Sequence, residues 1–345
     1  MMRQVLNTLY IMTEGAYLKL ERETLVILKN KEKLKKIPLH HLGNIVCLGR
    51  VSMSPSLMAR NADDGRTVVW LNEYGRFQAR VEGAVNGNIL LRQAQFRAAD
   101  NAKLTLELAK AFIAGKLRNS RQVLQRSARD SKRDDDKQSL AKAAKTLAIN
   151  LRNLEHAESV DSIRGFEGDA AKVYFQQLNA MIKPAMRNDF KYTKRSRRPP
   201  LDAINALLSF LYALLLNDCR SALETVGLDS QLGYLHTVRP GRPALALDLL
   251  EEFRSILGDR LALTLINRGQ IRTKDFEFRK GGSVLLNEKG RKTVLIAYQE
   301  RKQDTLNHPL LEQKVEIALL PLIQARLLAR FLRGDIEFYI PYLQK

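Results

Sequence analysis

Asn86-Gly87-Asn88-Ile89-Leu90-Leu91-Arg92 is where the hydrophobic pattern of this chain changes period. The Asn-Gly-Asn triplet is a strong turn signal and predicts a linker. Before it come short apolar runs that alternate or are rich in β-branched residues. They are Leu18-Lys19-Leu20-Glu21, Thr24-Leu25-Val26-Ile27-Leu28, Ile45-Val46-Cys47-Leu48-Gly49 and Thr67-Val68-Val69-Trp70-Leu71. Runs of this kind, bounded by glycine or charge, predict strands. One helix, over residues 54–61, is expected among them. From Ile89 onward the apolar residues recur at helical spacing, with Leu104, Leu108, Ala111 and Phe112 on one stripe. The expected fold class is therefore α+β: a small β-rich N-terminal domain over residues 1–86, then a larger α-helical domain over 87–345.

Within the helical part, Gly115-Lys116 predicts a helix stop, and residues 121–133 a second helix. The charge run 130–137 reads as a solvated loop, and 140–154 as an Ala-rich helix. Further helices are expected after Glu167, over 202–225, and from near Leu245. Gly281-Gly282, between Phe276-Glu277-Phe278 and Val284-Leu285-Leu286, predicts a hairpin. A last long helix over 310–333 should kink at Pro321, which lacks an amide proton and clashes one turn back.

Hydrophobic residues make up 45% of the 345 and charged residues 27%, a globular rather than a disordered composition. Lys and Arg total 57 against 37 Asp and Glu, a formal net charge of +20. That imbalance favours a polyanionic partner, with nucleic acid first. Cys47 and Cys219 are the two cysteines and form no Cys-x-x-Cys pair. A zinc knuckle or redox motif is thereby disfavoured, and a reduced, cytoplasmic setting fits. The N-terminus has no signal-peptide apolar core. The most apolar stretch, 203–216, is shorter than the roughly 18–20 residues of a membrane span and reads as a buried helix, so no membrane is expected.

Three segments carry candidate chemistry. Glu167 lies in Arg164-Gly165-Phe166-Glu167-Gly168, where the glycines would permit a sharp turn and leave room for a ligand. A helix-capping acid is the competing reading. His236, one of five histidines, follows Gly233-Tyr234-Leu235 and precedes a stiff loop containing Pro240 and Pro243. Histidine is a common ligand for transition metals. Asp248, Glu251 and Glu252 stand at i, i+3 and i+4 of one helix, and a metal would relieve their repulsion. An acidic surface face, with Arg254 pairing to Glu251, is the bland alternative. Together the segments supply carboxylates and one imidazole, a donor set suited to Mg²⁺ or Mn²⁺. His40-His41, just before a strand, read as ordinary.

Cations cluster in three places. Phe190-Lys191-Tyr192-Thr193-Lys194-Arg195-Ser196-Arg197-Arg198-Pro199-Pro200 interleaves them with aromatics, which suits phosphate contact. Ala114-Gly115-Lys116-Leu117-Arg118-Asn119-Ser120-Arg121 reads as a second cationic turn. The run 29–36 reads as a solvated hairpin.

These residues, in this order, resemble the CRISPR-associated spacer-acquisition integrases, the first of the Cas adaptation protein families. The likeness spans nearly the whole chain. It includes Ile37-Pro38-Leu39-His40-His41-Leu42, Arg197-Arg198-Pro199-Pro200-Leu201-Asp202, Asn205-Ala206-Leu207-Leu208-Ser209-Phe210 and Leu247-Asp248-Leu249-Leu250-Glu251-Glu252-Phe253-Arg254, besides the segments above. In detail it is most similar to the type I-C branch. The resemblance implies a metal-dependent DNA endonuclease and integrase that inserts short double-stranded DNA fragments into a CRISPR array during antiviral defence. It implies a homodimer, formed through the N-terminal domain, that assembles with a small second adaptation protein. It also implies a metal held by Glu167, His236 and a third carboxylate, with Glu251 ranked before Asp248. Asp248 would then orient a ligand or take its place. Lys116, Arg121, Lys194, Arg195, Arg197 and Arg198 are the expected phosphate contacts. The competing function classes are a non-catalytic nucleic-acid scaffold, insensitive to chelation, and an RNA nuclease.

Overall fold

The computed structural model describes residues 8–72, 75, 77–81, 83 and 89–344. The chain divides into two compact units, Met1–Gly87 and Asn88–Lys345. The predicted linker turn at Asn86-Gly87-Asn88 lies outside the described residues.

The first unit is β-rich, as its alternating runs predict. It holds β1 (Thr8–Ile11), β2 (Tyr17–Glu21), β3 (Thr24–Lys29), β4 (Glu32–Pro38), β5 (Asn44–Leu48), β6 (Ser52–Met53), α1 (Pro55–Asp63), β7 (Thr67–Leu71) and β8 (Phe77–Val81). One sheet has the order β1-β5-β7-β8, with β1, β5 and β7 parallel, and the other β4-β3-β2-β6. Leu18, Leu25, Ile45, Leu57 and Val68 are fully buried in the core of this unit. The basic run 29–36 is a solvated hairpin. Asn30 and Lys31 take positive φ (51° and 69°), which fits a two-residue hairpin loop. Glu21 gathers Lys19, Lys33 and Lys36 on its surface at 2.9, 3.3 and 3.0 Å. His40 and His41 are both exposed, in a single 3₁₀ turn.

The second unit is mostly helical. It contains α2 (Ile89–Asp100), α3 (Ala102–Asp130), α4 (Asp134–Glu155), α5 (Val160–Gln176), α6 (Leu178–Met181), α7 (Ala203–Thr225), α8 (Ala244–Phe253) and α9 (Arg260–Asn267). A π-helical segment, Arg254–Asp259, joins α8 to α9 without a break. The hairpin β9 (Phe276–Phe278) and β10 (Val284–Leu286), α10 (Glu288–Gln303), the hairpin β11 (Thr305–Asn307) and β12 (Lys314–Glu316), and α11 (Leu320–Leu332) follow. α7 is apolar and long enough to cross a membrane, but Leu207, Leu208, Leu211, Leu214 and Leu215 are buried within the unit. Asp202 caps it, its carboxylate accepting from the Asn205 amide at 2.7 Å.

Four sequence expectations are corrected here. Gly115 does not stop a helix, because α3 runs unbroken through it for 29 residues. The glycine serves a close approach: a Cβ there would lie 2.9 Å from Pro341 Cβ and 3.3 Å from Glu252 Cγ. The Lys116–Arg121 segment is thus mid-helix rather than a turn. The charge run 130–137 is mostly helix, since Asp130 ends α3 and Asp134, Asp135 and Asp136 form the first turn of α4. Acids are favoured there by the helix dipole. Glu167 is no cap and lies at no turn. α5 starts at Val160 under a Ser159–Ser162 capping box, and Glu167 stands about two turns further in. Finally, residues 305–316 form a hairpin, so α11 begins at Leu320. Pro321 sits in its first turn, where a missing amide proton costs nothing, and produces no kink.

Candidate metal centre

Helix α8 supplies the centre's buried acids, and its neighbours decide which way each faces. Asp248 is fully buried and accepts four hydrogen bonds. The amides of Tyr234 and Leu235 donate to Oδ2 at 2.7 and 3.0 Å, and the His236 amide to Oδ1 at 2.9 Å. His236 Nδ1 lies 2.7 Å from Oδ1. Only glycine fits at position 233, since a Cβ would fall 2.7 Å from Asp248 Oδ2. The Gly233-Tyr234-Leu235-His236 loop therefore wraps the Asp248 carboxylate. A carboxylate only accepts, so Nδ1 carries the proton, and in the neutral ring Nε2 has the free lone pair. Nε2 points to Glu251, 4.0 Å from Oε1.

Glu251, one turn on, is equally buried and ringed by cations. Lys116 Nζ lies 2.8 Å from Oε2, and Arg254 Nη1 2.9 Å from Oε1. Burial pushes the Glu251 carboxyl up, but Arg254, Lys116 and His236 outweigh it and hold the group at about 2. The surface ion pair expected for Glu251 and Arg254 is thus a buried one. Arg254 also stacks over the Tyr212 ring, 4.7 Å from its centroid, and Tyr212 donates its hydroxyl to Asp259.

Glu167 reaches the same point from α5. Its carboxylate pairs with Lys116 Nζ and keeps 30% of its side-chain surface exposed. No atom would stand within 4 Å of a Cβ at Gly165 or Gly168, so side chains would fit at both positions of α5.

Glu252 faces elsewhere. Successive helix residues are about 100° apart, and its side chain turns toward the C-terminal segment. It accepts from the Tyr342 amide at 2.7 Å, Gln324 Nε2 at 3.0 Å and the Tyr339 hydroxyl. Burial drives its pKa up to about 8 against those donors. The acidic surface face is overturned for all three acids, which are buried, but only Asp248 and Glu251 look toward Glu167 and His236.

Among the described residues, no three His, Cys, Asp or Glu side chains are already drawn into a coordination sphere. The cation between Glu167 and Glu251 is the Lys116 ammonium. Two carboxylates that converge on one positive charge, with an imidazole lone pair 4.0 Å from one of them, form a donor set that fits a hard or borderline divalent ion.

The phosphate contacts expected from the sequence fare unevenly. Lys194, Arg197 and Arg198 are exposed. Arg195 is turned inward: its guanidinium donates to the Ser196 carbonyl, to Asn205 Oδ1 at 2.6 Å and to Ser209, and lies over the Tyr212 ring. Burial lowers its pKa. Arg121 is half-buried on α3, and Lys116 is held by the two carboxylates. The sequence reading missed the inward role of Lys116, although the signal was present. Phe112, Lys116, Asn119 and Val123 share one helical stripe, and every other member is a buried type or is buried here. It also missed a cavity of about 710 Å³ lined by Arg126, Lys132, Lys183, Arg260 and Arg268. Those cations are scattered over three chain segments and make no local run.

The family profile described as CRISPR associated protein Cas1 matches residues 9–300. The CRISPR-associated endonuclease Cas1 1 of Moorella thermoacetica is 53% identical over 344 residues, covering all of both chains. A CAS1 protein from Thermotoga maritima superposes with a TM-score of 0.79 at 23% identity, over 95% of this chain and 97% of that one. A casposase bound to integration product gives 0.80 at 21% identity, over 96% and 92%. At those identities the two structures speak for the fold, and the family rests on the profile and the Moorella relative, which together span the chain: it belongs to the CRISPR associated protein Cas1 family.

Proposed function

We propose that this chain is a metal-dependent DNA endonuclease and integrase that inserts short double-stranded fragments into a CRISPR array. Glu167, Glu251 and His236 would hold Mg²⁺ or Mn²⁺. A divalent ion bound there supplies Lewis-acid polarisation of the scissile phosphodiester and offsets charge on the leaving oxygen. Asp248 keeps the proton on His236 Nδ1 and fixes the ring plane. Arg254 keeps Glu251 ionised, and its stacking on Tyr212 holds it in place. Exposed Lys194, Arg197 and Arg198 bind backbone phosphates. The nucleophile is the fragment's 3′-hydroxyl, and water in its place gives nuclease activity.

The observation that carries this reading is convergence. The carboxylates of Glu167 from α5 and Glu251 from α8 meet the same Lys116 ammonium, and His236 Nε2 from the 233–236 loop lies 4.0 Å from Glu251 Oε1, which supports a shared site. The protein works as a homodimer through its β-rich unit, with a small second adaptation protein, in a reducing cytoplasm where Cys47 and Cys219 stay free. Strand transfer of a labelled fragment into repeat DNA, with and without metal, tests it. Glu167→Ala should abolish transfer, and undiminished transfer would sink the assignment. A matched RNA duplex cleaved equally well would make it an RNA nuclease instead.

A further inference from the structure

We propose that Lys116 is a resident cation of the metal centre, which a divalent ion must displace and which therefore weakens the centre's metal affinity. The inference rests on the reading of Glu167, Glu251 and His236 as ligands. Lys116 lies mid-α3, with 8% of its side chain exposed. Its ammonium contacts the Glu167 carboxylate and lies 2.8 Å from Glu251 Oε2, so one charge ties α3 to α5 and α8. These are the two carboxylates that a divalent ion needs.

Of the two cations on Glu251, only Lys116 is built to leave. Arg254 is fixed by its position over the Tyr212 ring. Lys116 ends in a compact charge on a flexible four-carbon stem, with three rotatable donors. Glu167, its other partner, is the one acid of the centre that meets solvent, so the ammonium has a way out on that side. Buried carboxylates stripped of their counter-charge are strongly destabilised, which is why a metal-free centre needs Lys116. The same ion pairs must break before a metal can use those oxygens.

Mn²⁺ titration of the full chain by calorimetry, with thermal unfolding of the metal-free protein, tests this. Lys116→Met should bind Mn²⁺ at least tenfold more tightly than the unsubstituted chain. Its metal-free form should melt lower, and Mn²⁺ should raise its Tm further than it raises that of the unsubstituted protein. Lys116→Gln, which keeps hydrogen bonds to the carboxylates without the charge, should also bind more tightly and guards against a folding failure of the Met variant. Equal or weaker Mn²⁺ binding by folded variants would overturn the inference alone. If neither the variants nor the unsubstituted chain bound Mn²⁺, the metal reading would fall and this inference with it.

Discussion

Asp248 and Glu252 are both fully buried carboxylates on one helix, yet they do opposite work. Asp248 is saturated by three amides and an imidazole, and in the proposed centre it aims His236. Asp248→Asn would set an amide NH₂ against those donors and free the ring, so strand transfer should fall about 10–100-fold, as for other residues that orient metal ligands. A rate within twofold of the unsubstituted chain would show that the ring needs no such support. Glu252 instead fastens the C-terminal segment, with its pKa raised from 4.5 to about 8. A carboxyl raised by folding adds stability that is fully present below about 4.5 and is lost as pH climbs through about 8. Glu252→Gln cannot ionise. Its Tm should therefore gain on that of the unsubstituted protein between pH 5 and pH 8.5, an effect on the order of a few kcal/mol. A Tm difference that does not change with pH would refute the burial argument.

Gly115 shows how an element can mislead when read alone. In an open helix Gly→Ala stabilises by roughly 0.5–1 kcal/mol. In α3 the added methyl would press on Pro341 and Glu252, so Gly115→Ala should destabilise by about 1–3 kcal/mol in urea unfolding. A stabilising result would mean that the C-terminal segment does not pack there. The strands at 17–29, 44–48 and 67–71, the Gly281-Gly282 hairpin and the apolar helix α7 were legible, because alternation, turn glycines and apolar runs act within a few residues. The Gly115 stop, the Glu167 turn and the Pro321 kink were misread, because each depends on a partner distant in sequence or on where a helix begins. The centre divides in the same way. Glu167, His236 and the Asp248/Glu251 pair could be picked out as residue types at suggestive spacings. Which acid faces inward was not legible, since it is set by the loop closing over Asp248 at Gly233 and by Lys116 arriving from α3.

At the scale of the molecule, a net charge of +20 surrounds a centre whose acids are neutralised from within. The exposed Lys194, Arg197 and Arg198 carry the proposed phosphate contacts, and the cavity lined by Lys183 and Arg268 gathers further cations alongside Asp130 and Asp136. There Arg260 is depressed to about 10 by burial and by the neighbouring Arg126 and Arg301. Lys183→Glu with Arg268→Glu should weaken DNA binding and flatten its salt dependence by about two phosphate contacts. An unchanged salt slope would remove this surface from the DNA path. The central claim is that Glu251, and not its neighbour, completes a metal centre for strand transfer. The most direct measurement compares Glu251→Gln with Glu252→Gln in strand transfer of a labelled fragment into repeat DNA, in Mn²⁺ and in EDTA. Transfer should require Mn²⁺, vanish in Glu251→Gln and persist in Glu252→Gln. Transfer that survives EDTA, or survives in Glu251→Gln, would contradict the account.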